Sequence, residues 1–568
     1  MSTNHKIAIA QINTKSGDIE FNAKKIIKNL KKAQENKFDI IIFPELALIG
    51  MGLCDAVKRY PIIIKQNKIW LQEIASITNN TTAIIGFIDE DLQNSVAIIQ
   101  NGQIKQIVKK SQPEIIEIAE KYYYINLNEK TPNNINGNFD AIINIFAKHT
   151  SINKETLLNK TLSNLAKTYS KPVIYCDLIG ANDSFVYDGL SRVFNKNGEL
   201  ITCAKPFEED FVTTEPFCST NQSIKFSITP IQTTFSLDYE SDLERTYKTL
   251  ILGIKDYFAK TGFKRAVLGL SGGLDSTVCA VILADALGAE NVFGISMPSK
   301  LTSIESKTDA QELAQNLGIN FAQAPIKEMV ETCNKNFQQL FNEVEQSWDY
   351  RYKKSFTMDN IQARSRAMYL WGISNEFGSC LPIATSDKSE SYMGYATING
   401  DMSGGVALIA DITKTKLFAL ARWLNKNRHK KNAIPESIIL KKPGAELAID
   451  PNTGKTLNAE DALMPYEFLD EIIWRVENNN ETYEQMITSE FIYEKKENIS
   501  KEQKEQWLEK FYKRMSTSHY KWSILPPAII TDSHSINSQI YSQPITSSGI
   551  DYKGVSKNNI EEKIKNFS

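Results

Sequence analysis

Cysteine is scarce and scattered in this chain: seven among 568 residues, at positions 54, 176, 203, 218, 279, 333 and 380, with no Cys-x-x-Cys pair. Such spacing excludes a disulfide framework and a thiolate zinc site. The five histidines are equally dispersed. No apolar run reaches bilayer-spanning length. The start, Met1-Ser2-Thr3-Asn4-His5, has neither the charged nor the apolar region of a signal peptide. Free thiols without an export signal point to the reducing cytoplasm. An excess of one charge is missing too: the net charge is −2, so no global basic field draws nucleic acid. The expected partners are therefore small molecules, not nucleic acid or membrane. Absent as well is the lysine that a Walker P-loop carries after its second glycine.

What is present is ordinary globular composition, 42% hydrophobic and 23% charged, in a chain too long for one core. An apolar strand over 6–12, an amphipathic helix over 18–35 and a buried strand over 38–43 open it. Further strands are predicted over 82–88, 95–99, 142–145 and 172–178, with a helix over 155–169. Residues 208–236 lose periodicity and are rich in Thr, Ser and Pro, which marks a linker. Beyond a helix over 241–261, strands and helices alternate, which implies a parallel sheet covered on both faces. The expected division is a first domain over 1–215, a linker over 216–240, a second domain over 241–550 and a tail over 551–568.

The most informative segment is Gly269-Leu270-Ser271-Gly272-Gly273-Leu274-Asp275-Ser276. It joins the end of an apolar strand to an apolar helix. Its glycines allow a sharp turn that exposes backbone N–H groups. The helix start adds free N–H groups and a positive dipole end. Together these make a seat for pyrophosphate, with Asp275 placed for the magnesium ion that balances phosphate charge. The pattern resembles the PP-loop of enzymes that split ATP between its α and β phosphates.

Several later blocks extend the likeness: Asn360-Ile361-Gln362-Ala363-Arg364-Ser365-Arg366, Thr385-Ser386-Asp387-Lys388-Ser389-Glu390, Gly394-Tyr395-Ala396-Thr397, Gly400-Asp401-Met402-Ser403-Gly404-Gly405, and Tyr520-Lys521-Trp522 with Pro526-Pro527. Over residues 242–546 their order and spacing resemble the synthetase domain of the NAD synthetase family. The resemblance implies ATP-dependent amidation of deamido-NAD (nicotinate adenine dinucleotide) to NAD through an adenylated carboxylate, releasing AMP and pyrophosphate. It implies that 269–276 and Thr385 hold ATP and that Asp275 and Glu390 ligate Mg2+. Lys388 would offset charge on the departing pyrophosphate, and Asn360, Glu390 and Lys521 would hold deamido-NAD. Arg364 and Arg366 either serve the site or pair with acidic neighbours. Asp387, Leu408 and Ala459 depart from the family, which usually has Asn, Pro and Asp there.

Phe43-Pro44-Glu45-Leu46, after a buried strand, resembles the nitrilase superfamily as fused in glutamine-dependent NAD synthetases. In that family a Glu, a Lys and a Cys hydrolyse glutamine to supply ammonia. Glu45 matches the base, Lys109 the lysine and Glu120 a nearby acid. Lys154 fits a further family lysine, whereas Ile115 and Lys148 replace an expected Tyr and Ser. No cysteine lies between Cys54 and Cys176, where the nucleophile belongs. The stretch 125–139 is short and Asn-rich, so the nucleophile strand and loop are expected to be deleted. Cys176 and Cys54 are expected to be packing or loop residues.

The implied architecture is α/β: a degenerate nitrilase-like α-β-β-α sandwich, then a Rossmann-like PP-loop domain with a parallel sheet. The expected enzyme is a ligase that takes free ammonia and self-associates. Glutamine hydrolysis through a rearranged site, amidation of nicotinate mononucleotide, and a non-catalytic scaffold stay open as alternatives.

Overall fold

Runs of isoleucine, valine and alanine supply the strands of the first unit. In the computed structural model β1 (Ile7–Gln11), β2 (Ile40–Ile42), β3 (Thr82–Ile88), β4 (Asn94–Gln100) and β5 (Gln103–Lys109) come first. Then follow β6 (Glu114–Ile118), β7 (Lys121–Asn126), β8 (Ala141–Ile145), β9 (Val173–Cys176), β10 (Ile179–Asn182), β11 (Phe185–Asp188), β12 (Arg192–Phe194), β13 (Leu200–Cys203) and β14 (Asp210–Thr214). The structure describes residues 5–53, 56–130, 132, 134–218, 222–225, 234–345, 356–428, 431–444 and 458–535. Two compact units divide the chain, Met1–Thr233 and Thr234–Ser568.

The first unit holds two six-stranded sheets, in the orders β14-β1-β2-β3-β4-β5 and β13-β12-β9-β8-β7-β6. Their facing sides share one core, in which Ile9, Ile42 and Ile98 meet Ile125, Ile143 and Cys176. Helices Ile19–Glu35 and Pro61–Ser76 cover the outer face of the first sheet. Helix Lys154–Tyr169 covers that of the second. Both sheets are thus buried on both sides, which is why β2 and β8 are buried at every position instead of alternating, with Asn144 the one polar residue between them. The result is the α-β-β-α sandwich the resemblance implied. Asp18 starts the first helix by accepting from the Phe21 N–H, so the expected boundary at 18 is its cap.

One difference concerns the linker. Residues 210–214 form β14 and pair antiparallel with β1, from Ile7 opposite Thr214 to Gln11 opposite Asp210. A five-residue edge strand with a Thr-Thr end carries too little alternation to stand out from a loop. Residues 219–221, 226–233 and the expected tail 551–568 lie outside the described residues.

The second unit carries β15 (Arg265–Gly269), β16 (Val292–Ser296), β17 (Asn320–Gln323), β18 (Cys380–Ala384) and β19 (Val406–Ala407). All pair parallel, in the order β17-β16-β15-β18-β19. The order reverses between β15 and β18, and crevices at such a switch point bind ligands in open parallel sheets. Helix Leu274–Leu287 leaves β15 and is buried nearly all round. Helices Tyr466–Asn479 and Lys501–Trp522 build a separate apolar cluster around Phe468, Phe491 and Phe511. Among the described residues no helix is long and apolar enough to cross a membrane.

Candidate active site

Two loops leave the carboxyl ends of β15 and β18, the neighbouring strands at the reversal. The first is the Ser-Gly-Gly turn. Leu270 N donates to Ile295 O at 2.8 Å, which ties the turn to β16. Gly272 has φ +74°, and a Cβ there would lie 2.3 Å from the Ser306 carbonyl oxygen. Only glycine fits. Gly273 N donates to Ser271 Oγ at 3.2 Å, and Thr277 Oγ1 donates to Gly273 O at 2.8 Å. Gly273 is the N-cap of helix Leu274–Leu287 and offers it no side chain. The first-turn N–H groups are thus available to an anion.

The second loop places Thr385, half-buried, just past β18. Asp387 then caps the short helix Lys388–Tyr392, its Oδ1 accepting from Glu390 N at 2.8 Å. The carboxylates of Asp275, Asp387 and Glu390 converge, with one oxygen of each within 4.8 Å of the others. A lysine joins them. Lys414 Nζ lies 2.7 Å from Asp275 Oδ1, 2.6 Å from Asp387 Oδ2 and 3.1 Å from Glu390 Oε1. Burial opposes its charge, but the three carboxylates outweigh burial and push the Lys414 ammonium well above its ordinary range. Burial also pushes the Glu390 carboxyl well up, with Asp387 and Asp275 adding to the rise and Lys414 opposing it. Lys414 is anchored from behind: its backbone N donates to Ser389 Oγ at 2.9 Å, and that hydroxyl donates to Asp470 Oδ1 at 2.6 Å. Burial raises Asp470 to about 6.

Lys414 escaped the reading of the sequence. A signal was there: it opens helix Lys414–Asn427, at the end where the dipole disfavours a cation. Lys388, in contrast, stands apart from the cluster. Its Nζ reaches Glu477 Oε2 at 2.7 Å, Asp411 Oδ1 at 3.3 Å and His534 O at 3.0 Å. Residues two apart on a helix point to opposite sides, so Lys388 turns toward Glu477 while Glu390 turns toward Lys414. Burial lifts Glu477 to about 7, against the pull of Lys388. Replacing Lys388 with Met removes the cation that Asp411 and Glu477 share, and a stability loss of ~3 kcal/mol is expected in denaturant unfolding. A lysine acting on pyrophosphate would instead lose turnover with stability intact, and that outcome would return Lys388 to the chemistry.

Asn360 and Lys521 converge on one turn. Thr397 Oγ1 donates to Asn360 Oδ1 at 2.9 Å, and Lys521 Nζ donates to Gly394 O at 2.8 Å and Ala396 O at 2.7 Å. Arg364 Nε and Arg366 Nε donate to the carbonyls of Ile398 and Met297, at 3.2 and 3.1 Å.

In the first unit Glu45 is buried and its carboxylate accepts three hydrogen bonds. Oε1 accepts from Asn94 Nδ2 and, at 2.8 Å, from Lys110 Nζ; Oε2 accepts from Ala147 N. Gly86 makes room for this segment, since a Cβ there would lie 2.2 Å from Pro44 O. Lys109, expected as the partner of Glu45, bonds Asp91 Oδ2 at 2.6 Å instead. Consecutive residues leave a strand on opposite faces, so the side chain one position later reaches the site. Glu120 is exposed, in the turn between β6 and β7.

The strand expected to be deleted is present. β7 pairs parallel with β8, and its end runs into Asn126, Leu127 and Asn128, with Asn128 Nδ2 donating to Lys110 O at 2.9 Å. Cys176 lies in the core between the sheets, its Sγ 3.8 Å from Ile42 O, and burial raises its thiol well above the ordinary range. Cys54 lies outside the described residues. Lys154 is buried between Asp177 and Asp188, its Nζ 2.9 Å from Asp177 Oδ2.

The fold and its two sites define the class: an amidase-type sandwich joined to a PP-loop ligase domain. Residues 246–515 match the NAD synthase family model and residues 6–135 the carbon-nitrogen hydrolase model. The glutamine-dependent NAD(+) synthetase of Thermotoga maritima is 34% identical over 524 residues, covering 82% of this chain and 88% of that protein. The Aquifex aeolicus protein of that name is 34% identical over 533 residues, covering 85% and 90%. The solved structure of the glutamine-dependent NAD+ synthetase from Acinetobacter baumannii in complex with ADP aligns with a TM-score of 0.68 at 26% identity, covering 95% of this chain and 98% of that one. The chain belongs to the glutamine-dependent NAD(+) synthetase family. It is a ligase, with an NAD synthetase domain behind a nitrilase-like one.

Proposed function

We propose that this chain amidates deamido-NAD with ammonia taken from solution, its own amidase half being silent. The nicotinate carboxylate attacks the α-phosphorus of ATP and expels pyrophosphate. Ammonia then adds to the mixed anhydride, loses a proton and displaces AMP, leaving the amide of NAD. The free carboxylate resists nucleophiles because of its own charge, and adenylation removes that obstacle. Positioning and charge neutralisation carry the catalysis, with no covalent protein intermediate.

On this reading residues 269–276 and Thr385 bind ATP. An oxygen-only donor set suits a hard cation, so Asp275 and Glu390 are the residues that would hold Mg2+. The ion, when bound, neutralises phosphate charge. Lys414 carries the fixed positive charge on the same side. Asn360, Glu390 and Lys521 receive deamido-NAD, Lys521 through an ammonium whose pKa burial lowers.

The observation that carries the nitrogen reading is the surround of Glu45. Lys110, Asn94 and Ala147 fill it, and the described residues bring no cysteine to it. Mass spectrometry of product formed from ATP, Mg2+, deamido-NAD and either ammonium or glutamine tests it. Efficient glutamine use abolished by Cys176→Ala or Cys54→Ala would defeat it.

Self-association belongs to the same proposal. Helix Lys327–Val344 buries none of its residues and presents Phe337 and Leu340, while helix Thr357–Phe377 exposes Met368 and Phe377. Apolar surface of this kind suits a second copy. Met368→Glu with Phe377→Lys is expected to move the chain toward the monomer mass in light scattering. A wild-type chain already monomeric would contradict it.

A further inference from the structure

We propose that Asp387 is a positioning residue for Lys414, holding its ammonium between Asp275 and Glu390; the inference rests on the adenylation reading. The resemblance placed an uncharged Asn at this position, so the acid is a departure to be explained. Its two oxygens do different work. Oδ1 accepts from Glu390 N at 2.8 Å and starts the helix that carries Glu390. Asparagine would do this as well. Oδ2 lies 2.6 Å from Lys414 Nζ, and here a charge matters.

Lys414 needs a dedicated counter-ion for two reasons. Its side chain is 1% exposed, and a buried ammonium without a paired carboxylate is strongly disfavoured. It also opens its own helix, where the dipole repels a cation. Asp275 and Glu390 contact it too, but they are the residues assigned to Mg2+. Asp387, fully buried, is the one of the three carboxylates not assigned to Mg2+, and its Oδ2 pairs with Lys414. Ser389 fixes the backbone of Lys414 at 2.9 Å, so Asp387 sets where the far end of the side chain points.

The test is pyrophosphate release from ATP and deamido-NAD, measured with saturating ammonium. Asp387→Asn and Asp387→Ser both keep the helix cap and remove the charge. Each is expected to lower kcat about tenfold while the KM for deamido-NAD stays within about twofold, and without Mg2+, when Asp275 and Glu390 still pair with Lys414, the melting temperature does not fall. Asp387→Asn combined with Lys414→Met is expected to be no slower than Lys414→Met alone, because Asp387 acts through Lys414. Wild-type turnover in both Asp387 variants, or losses that multiply in the double variant, would overturn the proposal. Should Lys414→Met fail to fold, the Asn and Ser variants decide alone: the tenfold kcat loss at unchanged melting upholds it, and wild-type turnover overturns it. Absence of pyrophosphate release from the wild-type protein would sink the adenylation reading instead.

Discussion

Asp275→Ala is expected to remove at least ~10³-fold of the pyrophosphate-release rate while leaving the fold intact. Asp275 stands in the first turn of helix Leu274–Leu287, beside the glycine turn and 2.7 Å from Lys414. On the proposed reading it is one of two carboxylates that hold Mg2+ against the triphosphate, and no neighbour can replace it from the same loop. The loss should appear in both steps, adenylate formation and NAD formation, since the second depends on the first. Stability should not suffer. Three carboxylates face one ammonium here, so removing one relieves like-charge repulsion, and the melting temperature should hold or rise. An inactive variant with a normal melting curve separates chemistry from folding. A variant that turns over normally would show that Asp275 holds no phosphate-bound metal.

On the proposed reading glutamine supports NAD formation at least ~10³-fold less well than ammonium, because covalent catalysis needs a nucleophile and none of the described cysteines meets Glu45. The Glu45 carboxylate already accepts from Lys110, Asn94 and Ala147. Lys154, the residue that fitted a family lysine, is engaged by Asp177 and Asp188 inside the core. The rate with ammonium should climb with pH, since only the unprotonated amine attacks the anhydride. Glu45→Gln should leave that rate unchanged. A fall in ammonium-dependent turnover in this variant would mean that the first unit takes part in the synthetase reaction.

How much of this was legible in the sequence follows the range of the interactions. The glycine turn, Asp275 and the Thr385–Glu390 block are local patterns at strand ends, and the parallel sheet sets their strands side by side. Lys414 lies 139 residues beyond Asp275, one of the three carboxylates it touches, and the packing of its helix brings it there. Lys388 shares a block with Glu390 but leaves the helix on another side, toward Glu477, and a linear motif does not display that facing. Lys109 and Lys110 differ by one position, and the strand's alternation, not composition, decides which one meets Glu45. β7 went unread because Lys121-Tyr-Tyr-Tyr-Ile-Asn126 is followed by a polar stretch that hides where the strand stops. In each case the residue type was visible and its facing was not.

The nitrogen atom of the product tests the whole account most directly. Wild-type protein is incubated with ATP, Mg2+, deamido-NAD, heavy-isotope ammonium and unlabelled glutamine, and NAD is weighed by mass spectrometry. The account predicts NAD carrying the heavy atom, with AMP and pyrophosphate formed in equal amount. Light NAD, drawn from the glutamine amide, would contradict it.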